Sequence, residues 1–251
     1  SMKTLGLEFY KIKRRKVGLT MAAFLAAQFL WGLWALRSPT AGEQAQGFLS
    51  LLYALPALDA VMVPPVMAIL ASRLSDIEHK GCTFKQLETL RSPGSLYHSK
   101  AVCGLIIIAV MFALQFALFI LLGYDLGYQG HPDPAHYLLS YVLKLASNSS
   151  LFLMQLALSM FFANQMIPLV AGLCGSLIGL LLMFVKFYSF LPWGGNLNST
   201  LVMMDWDSTT RISTYYYREY SPVELAAVAM IFVWIVIFYT AGRILFSRRE
   251  N

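Results

Sequence analysis

Six stretches of this chain, at about residues 17–36, 48–71, 101–122, 138–163, 166–188 and 223–245, are almost continuously apolar. A helix crossing ~30 Å of hydrocarbon needs about 20 such residues, so each stretch is long enough to span a bilayer. A barrel strand would instead alternate over about ten residues. The expected fold is therefore all-α, a polytopic membrane protein of six transmembrane helices, with residues 1–251 forming a single transmembrane domain. Only 13% of the residues are charged and 58% are hydrophobic, with a mean hydropathy of +0.61. A soluble domain carries roughly 25% charge. The apolar excess runs the whole length, which excludes a soluble enzyme on one anchor, and disorder needs the opposite composition. Ser1 before Met2 reads as a residue left by tag cleavage, and the first apolar run is too long for a cleavable leader.

The net charge of +6 does not point to nucleic acid, because the cations sit in blocks beside the apolar runs. Lys3, Lys11, Lys13, Arg14, Arg15 and Lys16 precede the first run. Arg73, Lys80, Lys85, Arg91 and Lys100 lie between the second and third, and Arg243, Arg248 and Arg249 close the chain. These are fourteen of the nineteen Lys and Arg residues, whereas the opposite side has Arg37, Lys186, Arg211 and Arg218. The excess predicts a multi-pass membrane protein with cytoplasmic N- and C-termini. Residues 3–16 mix Leu5, Leu7, Phe9 and Ile12 with clustered cations, as suits an interfacial helix among membrane lipids. Outside are expected a short loop (37–47), a second loop (123–137) and a longer, Tyr-rich one (190–221) with Trp193, Trp206 and Tyr215 to Tyr217.

No phosphate-cradling GxxxxGK[ST], GxSxG, HExxH or GxGxxG occurs, so no catalytic apparatus is expected on this chain. Cys82, Cys103 and Cys174 form no CxxC pattern and read as free thiols. His131, Asp133 and His136 bracket two prolines, which keep them off a single helical face and favour a solvated turn over a metal site. Asp59 is the one acid near the middle of a run, beside Pro56, Pro64 and Pro65. A charge at that depth costs at least ~2.5–3.5 kcal/mol on insertion scales, so it must be protonated, paired or beside water. Lys144 is the cation nearest to it in depth. The two are candidates for a polar element or substrate path, against an interhelical contact as the plainer reading. Gln28, Gln115, Gln155, Asn164 and Gln165 read as interhelical glue, and Gly172, Gly175 and Gly179 mark a close helix contact.

The segment from Arg73 to Lys100 is the most informative. Phe84, Leu87 and Leu90 give a short amphipathic stripe, punctuated by Gly81, that suits a groove on a soluble partner. Asp76-Ile77-Glu78-x-Lys80-Gly81-x-Thr83-Phe84-Lys85-x-Leu87, followed by Tyr97-x-Ser99-Lys100, resembles type-2 ABC transporter permeases, and within these the permeases of lantibiotic-immunity exporters.

That resemblance implies an N-terminal elbow helix at residues 3–16. It also implies a cytoplasmic coupling helix between spans two and three, where Asp76, Ile77, Glu78, Lys80, Gly81, Thr83, Phe84 and Leu87 dock on the ATPase. Cys82 departs from the polar residue expected there. The implied partners are an ABC ATPase dimer, a second permease subunit and an amphiphilic peptide substrate. No cofactor is expected on this chain, ATP and Mg being expected on the partner ATPase. Rival readings are the same machinery with another antibiotic, a lipid or an ion as cargo, a membrane sensor or assembly protein using residues 72–99, and an intramembrane enzyme using Asp59.

Overall fold

The computed structural model describes residues 6, 8–10, 12, 16–36, 44–81, 93–182, 184, 190–210 and 212–248. Long helices dominate: α1 (Val17–Leu36), α2 (Gly47–Gly81), α3 (Pro93–Asp125), α4 (Pro134–Phe161) and α5 (Met166–Leu182). A 3-10 turn (Pro192–Gly194) and the short α6 (Gly195–Asn198) lead to strands β1 (Val202–Asp207) and β2 (Ile212–Tyr217), and α7 (Pro222–Arg248) closes the chain. Ile12, the end of α2, the start of α3 and the end of α7 lie at one end of the bundle, here the proximal end; the 126–133 loop and the hairpin lie at the other, distal end.

Each expected apolar run falls on a helix, but α2 and α3 run well beyond their runs on the proximal side. Residues 72–81 continue α2 and 93–100 begin α3, so the connection expected over 72–99 is mostly the extended ends of two spans. Among the described residues, four helices are long and apolar enough to cross a membrane: α1, α3, α7 and the Gly47–Ser75 part of α2. The other two expected spans depart from that pattern for different reasons. α5 has 17 residues, short of the ~20 that a full crossing needs. α4 has 28 but carries Lys144, Ser147, Asn148, Ser149, Ser150, Gln155 and Ser159, all buried. It packs against α2, α3, α5 and α7, and a helix shielded by protein on most sides need not be apolar.

The prolines of α2 explain the small residues of α5. Pro64 and Pro65 lack an N–H, which frees the carbonyls of Ala60 and Val61 four residues earlier. Ser176 Oγ of α5 donates to Val61 O at 2.6 Å. One turn on, Gly179 lies against Ala60 O so closely that a Cβ there would come within 2.6 Å of it. Gly172 likewise sits on Ala68 and Pro64, so the small-residue spacing marks an interface within the chain. Neighbouring hydroxyls and close backbone contact let α2 run unbroken through three prolines.

The region read as an outer loop over 190–221 is two structures. Residues 192–198 fold back into the bundle. Asn196 and Asn148 exchange side-chain amide hydrogen bonds at 2.9 and 3.1 Å, and Gly195 packs against Ser147 and Ile231. Asn148 lies about 21 Å along α4 from its distal start, at 1.5 Å per residue. Short, broken helical backbone at such depth is tolerated when protein surrounds it, and Gly194, Gly195, Asn196 and Asn198 are buried.

The rest is an antiparallel hairpin, which an all-α reading did not include. Val202 pairs with Tyr217 and Asp207 with Ile212. Asp207 shapes its tip, accepting from Thr209 N at 2.8 Å and Thr210 Oγ1 at 2.7 Å. Gln46 ties β2 to the start of α2, its amide bonding both the N–H and the carbonyl of Tyr215 at 3.0 and 3.2 Å.

Candidate functional site

Four helices each contribute one polar side chain to a closed ring in the bundle. Asp59 sits near the middle of α2, Lys144 on α4, Gln28 on α1 and Gln115 on α3; all four are buried. Lys144 Nζ forms an ion pair with Asp59 Oδ2. Asp59 Oδ1 accepts from Gln28 Nε2 at 3.0 Å and from Gln115 Nε2 at 2.8 Å. Gln115 also donates to Gln28 Oε1 at 2.8 Å and accepts from Lys144 Nζ at 2.5 Å. The Lys144 ammonium lies 4.8 Å from the Phe116 ring centroid and 5.1 Å from that of Phe112, whose π-faces favour a cation. The ring is neutral overall and its donors meet acceptors, which is the condition for tolerating charge in hydrocarbon. Chemically it can hold four helices in one register. The sequence brought Asp59 and Lys144 forward by depth alone; the two glutamines complete the ring.

A second buried charge cluster lies at the proximal end. Lys100, near the start of α3, is fully buried, and its Nζ meets Glu8 Oε2 at 3.1 Å and Leu74 O at 2.7 Å. Gly6, Glu8, Phe9, Tyr10 and Ile12 of the expected elbow are helical, and Ile12 joins the core cluster with Val17, Leu74, Leu96 and Phe246. Lys100 thus bolts the N-terminal helical segment to the roots of α2 and α3, the two helices that carry the 76–92 connection. Sequence reading counted Lys100 as a topology-setting cation and as the end of the Tyr97-x-Ser99-Lys100 motif, and gave it no partner. The signal it missed was Glu8, an acid standing among the basic residues of the amino-terminal segment.

Of the residues expected to meet an ATPase, Asp76, Ile77, Glu78, Lys80 and Gly81 lie on the last turns of α2, which ends at Gly81. Thr83, Phe84 and Leu87 lie outside the described residues, as does Cys82. At the same end His98 Nδ1 meets Tyr239 Oη at 2.8 Å, and Tyr97 Oη donates to Phe238 O at 3.3 Å, tying α3 to α7.

At the distal end Asp133 caps α4, accepting from Ala135 N at 3.0 Å, and its other oxygen meets His136 Nδ1. The His136 hydrogen bond, then that of Ala135, holds the Asp133 carboxyl below the ordinary carboxylate range. His136 stacks on Tyr217 at 3.8 Å between centroids, whereas His131 turns to Tyr124 at 3.3 Å. Asp133 and His136 thus pair with each other, whereas His131 pairs with Tyr124. Ser221 and Glu224 form a capping box at the start of α7: Glu224 Oε2 accepts from Ser221 N, and Glu224 N donates to Ser221 Oγ at 3.4 Å. Glu224 also holds Arg218, with Oε1 accepting from Nε at 3.1 Å. The Ser-Pro-x-Glu spacing was a legible signal for this helix start.

A family model described as ABC-2 family transporter protein matches residues 4–179. The chain belongs to the ABC-2 transporter family. This ABC-2 transporter protein is accordingly a multi-pass membrane permease of an ABC transporter, with the ATPase on a partner chain. The matched stretch takes in the N-terminal segment, α1 to α4 and most of α5, and so both buried charge clusters; the 192–198 segment, the hairpin and α7 follow it. No curated protein and no solved structure matches the chain.

Proposed function

We propose that this permease works in an exporter that removes a lantibiotic or a similar cationic amphiphilic peptide from a bacterial plasma membrane. In this reading α4 and α5 complete six spans, and the termini and the 76–92 connection face the cytoplasm. An ABC ATPase dimer docks on Asp76, Ile77, Glu78, Lys80, Gly81, Thr83, Phe84 and Leu87, with a second permease subunit beside this one. ATP binding and hydrolysis move the docked segment, and energy reaches this chain only through contacts that differ between the two ATPase states.

The observation that carries the coupling role is the Lys100 clasp. A fully buried ammonium joins the N-terminal segment, the end of α2 and the start of α3, so a push on the 76–92 segment acts on three elements together. The buried Asp59–Lys144 ring is the matching brace deeper in the bundle, linking α1, α2, α3 and α4. Such a cargo need not cross a wide aqueous pore, which fits spans so poor in charge.

The test is isolation of the tagged permease from cells that co-express its candidate ATPase. A stoichiometric complex, lost when residues 82–90 are replaced by a Gly-Ser linker, is expected. Absence of any ATPase from the intact permease would overturn the reading in favour of a membrane sensor.

A further inference from the structure

The distal end holds a cleft of about 300 Å³ between the first turns of α2, the loop entering α4 and the end of β2. Its floor is apolar and fixed. Phe48, Leu52 and Tyr137 are buried, and Tyr137 Oη donates to Phe48 O at 2.7 Å. Its rim is polar: Gln46, Gln129, Asp133 and Tyr217. The Gln46 clamp on Tyr215 holds the hairpin against α2, and the stacking of Tyr217 on His136 fixes the far wall. The cleft is therefore preformed. Its volume is at the lower limit for ligand pockets, enough for one long side chain and too little for a folded peptide.

Charge selects the occupant. Among the described residues, the exposed acids of this end are Asp125, Asp133, Asp205, Asp207 and Glu219, and its one cation, Arg218, is held by Glu224. Arg37, Glu43, Lys186 and Arg211 belong to the same side by sequence and lie outside the described residues. Asp133 is the acid that lines the cleft, with His131 beside it; its Oδ1 accepts from Ala135 N and its Oδ2 meets His136 Nδ1, and as a carboxylate at neutral pH it keeps lone pairs for a further donor. The hairpin above it exposes Met203, Trp206, Tyr216 and Tyr217.

We infer that this cleft binds one cationic side chain of an amphiphilic peptide, its apolar stem on Phe48 and Leu52 and its ammonium or guanidinium at Asp133, while the hairpin's aromatic residues receive the peptide's apolar face. An aliphatic stem with a charged head matches such a lining, because the stem is desolvated while the head keeps a charged partner and a wet rim. The peptide class rests on the export reading above; the chemistry of the cleft does not.

The permease in nanodiscs of zwitterionic lipid is titrated into a fluorophore-labelled amphipathic peptide of Lys and Leu, followed by anisotropy. The same peptide with Glu for Lys is the control. The Lys peptide should bind at least about tenfold more tightly. Asp133→Asn, which keeps a good helix cap, should weaken it about tenfold, the loss expected for one charge-assisted contact. Gln129→Trp, filling the rim, should do the same, and Asp207→Asn at the hairpin tip should change binding less than twofold. Unchanged binding in folded Asp133→Asn and Gln129→Trp, or an equal loss in Asp207→Asn, overturns the site. Cleft-dependent binding without ATP-driven peptide release, once the ATPase is added, sinks the export reading and leaves the site standing. Release that ignores both cleft variants sinks the site alone.

Discussion

Lys144 of α4 and Asp59 of α2 form an ion pair with essentially no exposure to solvent, closed on its other sides by Gln28 and Gln115. Removing one partner leaves the other charge buried, which typically costs about 3–5 kcal/mol. Asp59→Ala and Lys144→Ala should each sharply lower the thermal unfolding temperature of the purified protein. The exchange Asp59→Lys with Lys144→Asp should recover part of the loss. No recovery would mean that the hydrogen bonds to Gln115 and Gln28, and not the pairing of charges, carry the ring.

The Glu8–Lys100 contact makes a parallel case at the proximal end. Glu8→Ala should destabilise the protein, since it takes a carboxylate away from a buried ammonium. Glu8→Ala combined with Lys100→Met should be milder than Glu8→Ala alone, because the buried charge is removed with its partner. Denaturation of the three variants in the same detergent measures the difference.

The α2–α5 contact separates a steric effect from a polar one. Gly179→Leu pushes side-chain atoms into the carbonyl of Ala60 and should cost about 1–3 kcal/mol by overpacking. Ser176→Ala removes only the hydrogen bond to Val61 O, and an interhelical bond of this kind averages about 0.6 kcal/mol in membranes. Unfolding measurements should therefore rank Gly179→Leu well below Ser176→Ala.

The proline-freed carbonyls were implicit in the sequence, since Pro64 and Pro65 name Ala60 and Val61 by the four-residue rule. The glycine and serine spacing of α5 supplied the other half, although nothing in either stretch said that the two belonged together. Helix positions were equally legible, because continuous apolarity is a local property. The hairpin was not. Trp193, Trp206 and Tyr215 to Tyr217 read as aromatic anchors at a membrane surface, and the element depends on Gln46, 169 residues before Tyr215. The 192–198 segment escaped for the same reason: Asn196 finds its partner, Asn148, on a helix that sequence alone treats as a simple span.

The acid limit has a defined sign at the distal end. His136 and Ala135 hold Asp133 below its ordinary range, and Thr210 and Thr209 do the same for Asp207. A carboxyl depressed in the folded state adds stability above its unfolded value, near ~3.9, and loses it as pH falls through the folded value. Stability of the wild type should therefore fall below about pH 4, and Asp133→Asn with Asp207→Asn should flatten that part of the profile. An unchanged acid slope in the double variant would contradict the two capping contacts.

We propose that driving force reaches this ABC-2 family chain through the end of α2. The most direct measurement is ATP hydrolysis by the reconstituted permease–ATPase complex, with and without a cationic amphiphilic peptide, for the wild type, Glu78→Ala and Gly81→Pro. Peptide-stimulated hydrolysis is expected in the wild type, and loss of that stimulation in both variants with complex assembly and expression intact. Full stimulation in Glu78→Ala and Gly81→Pro would contradict it.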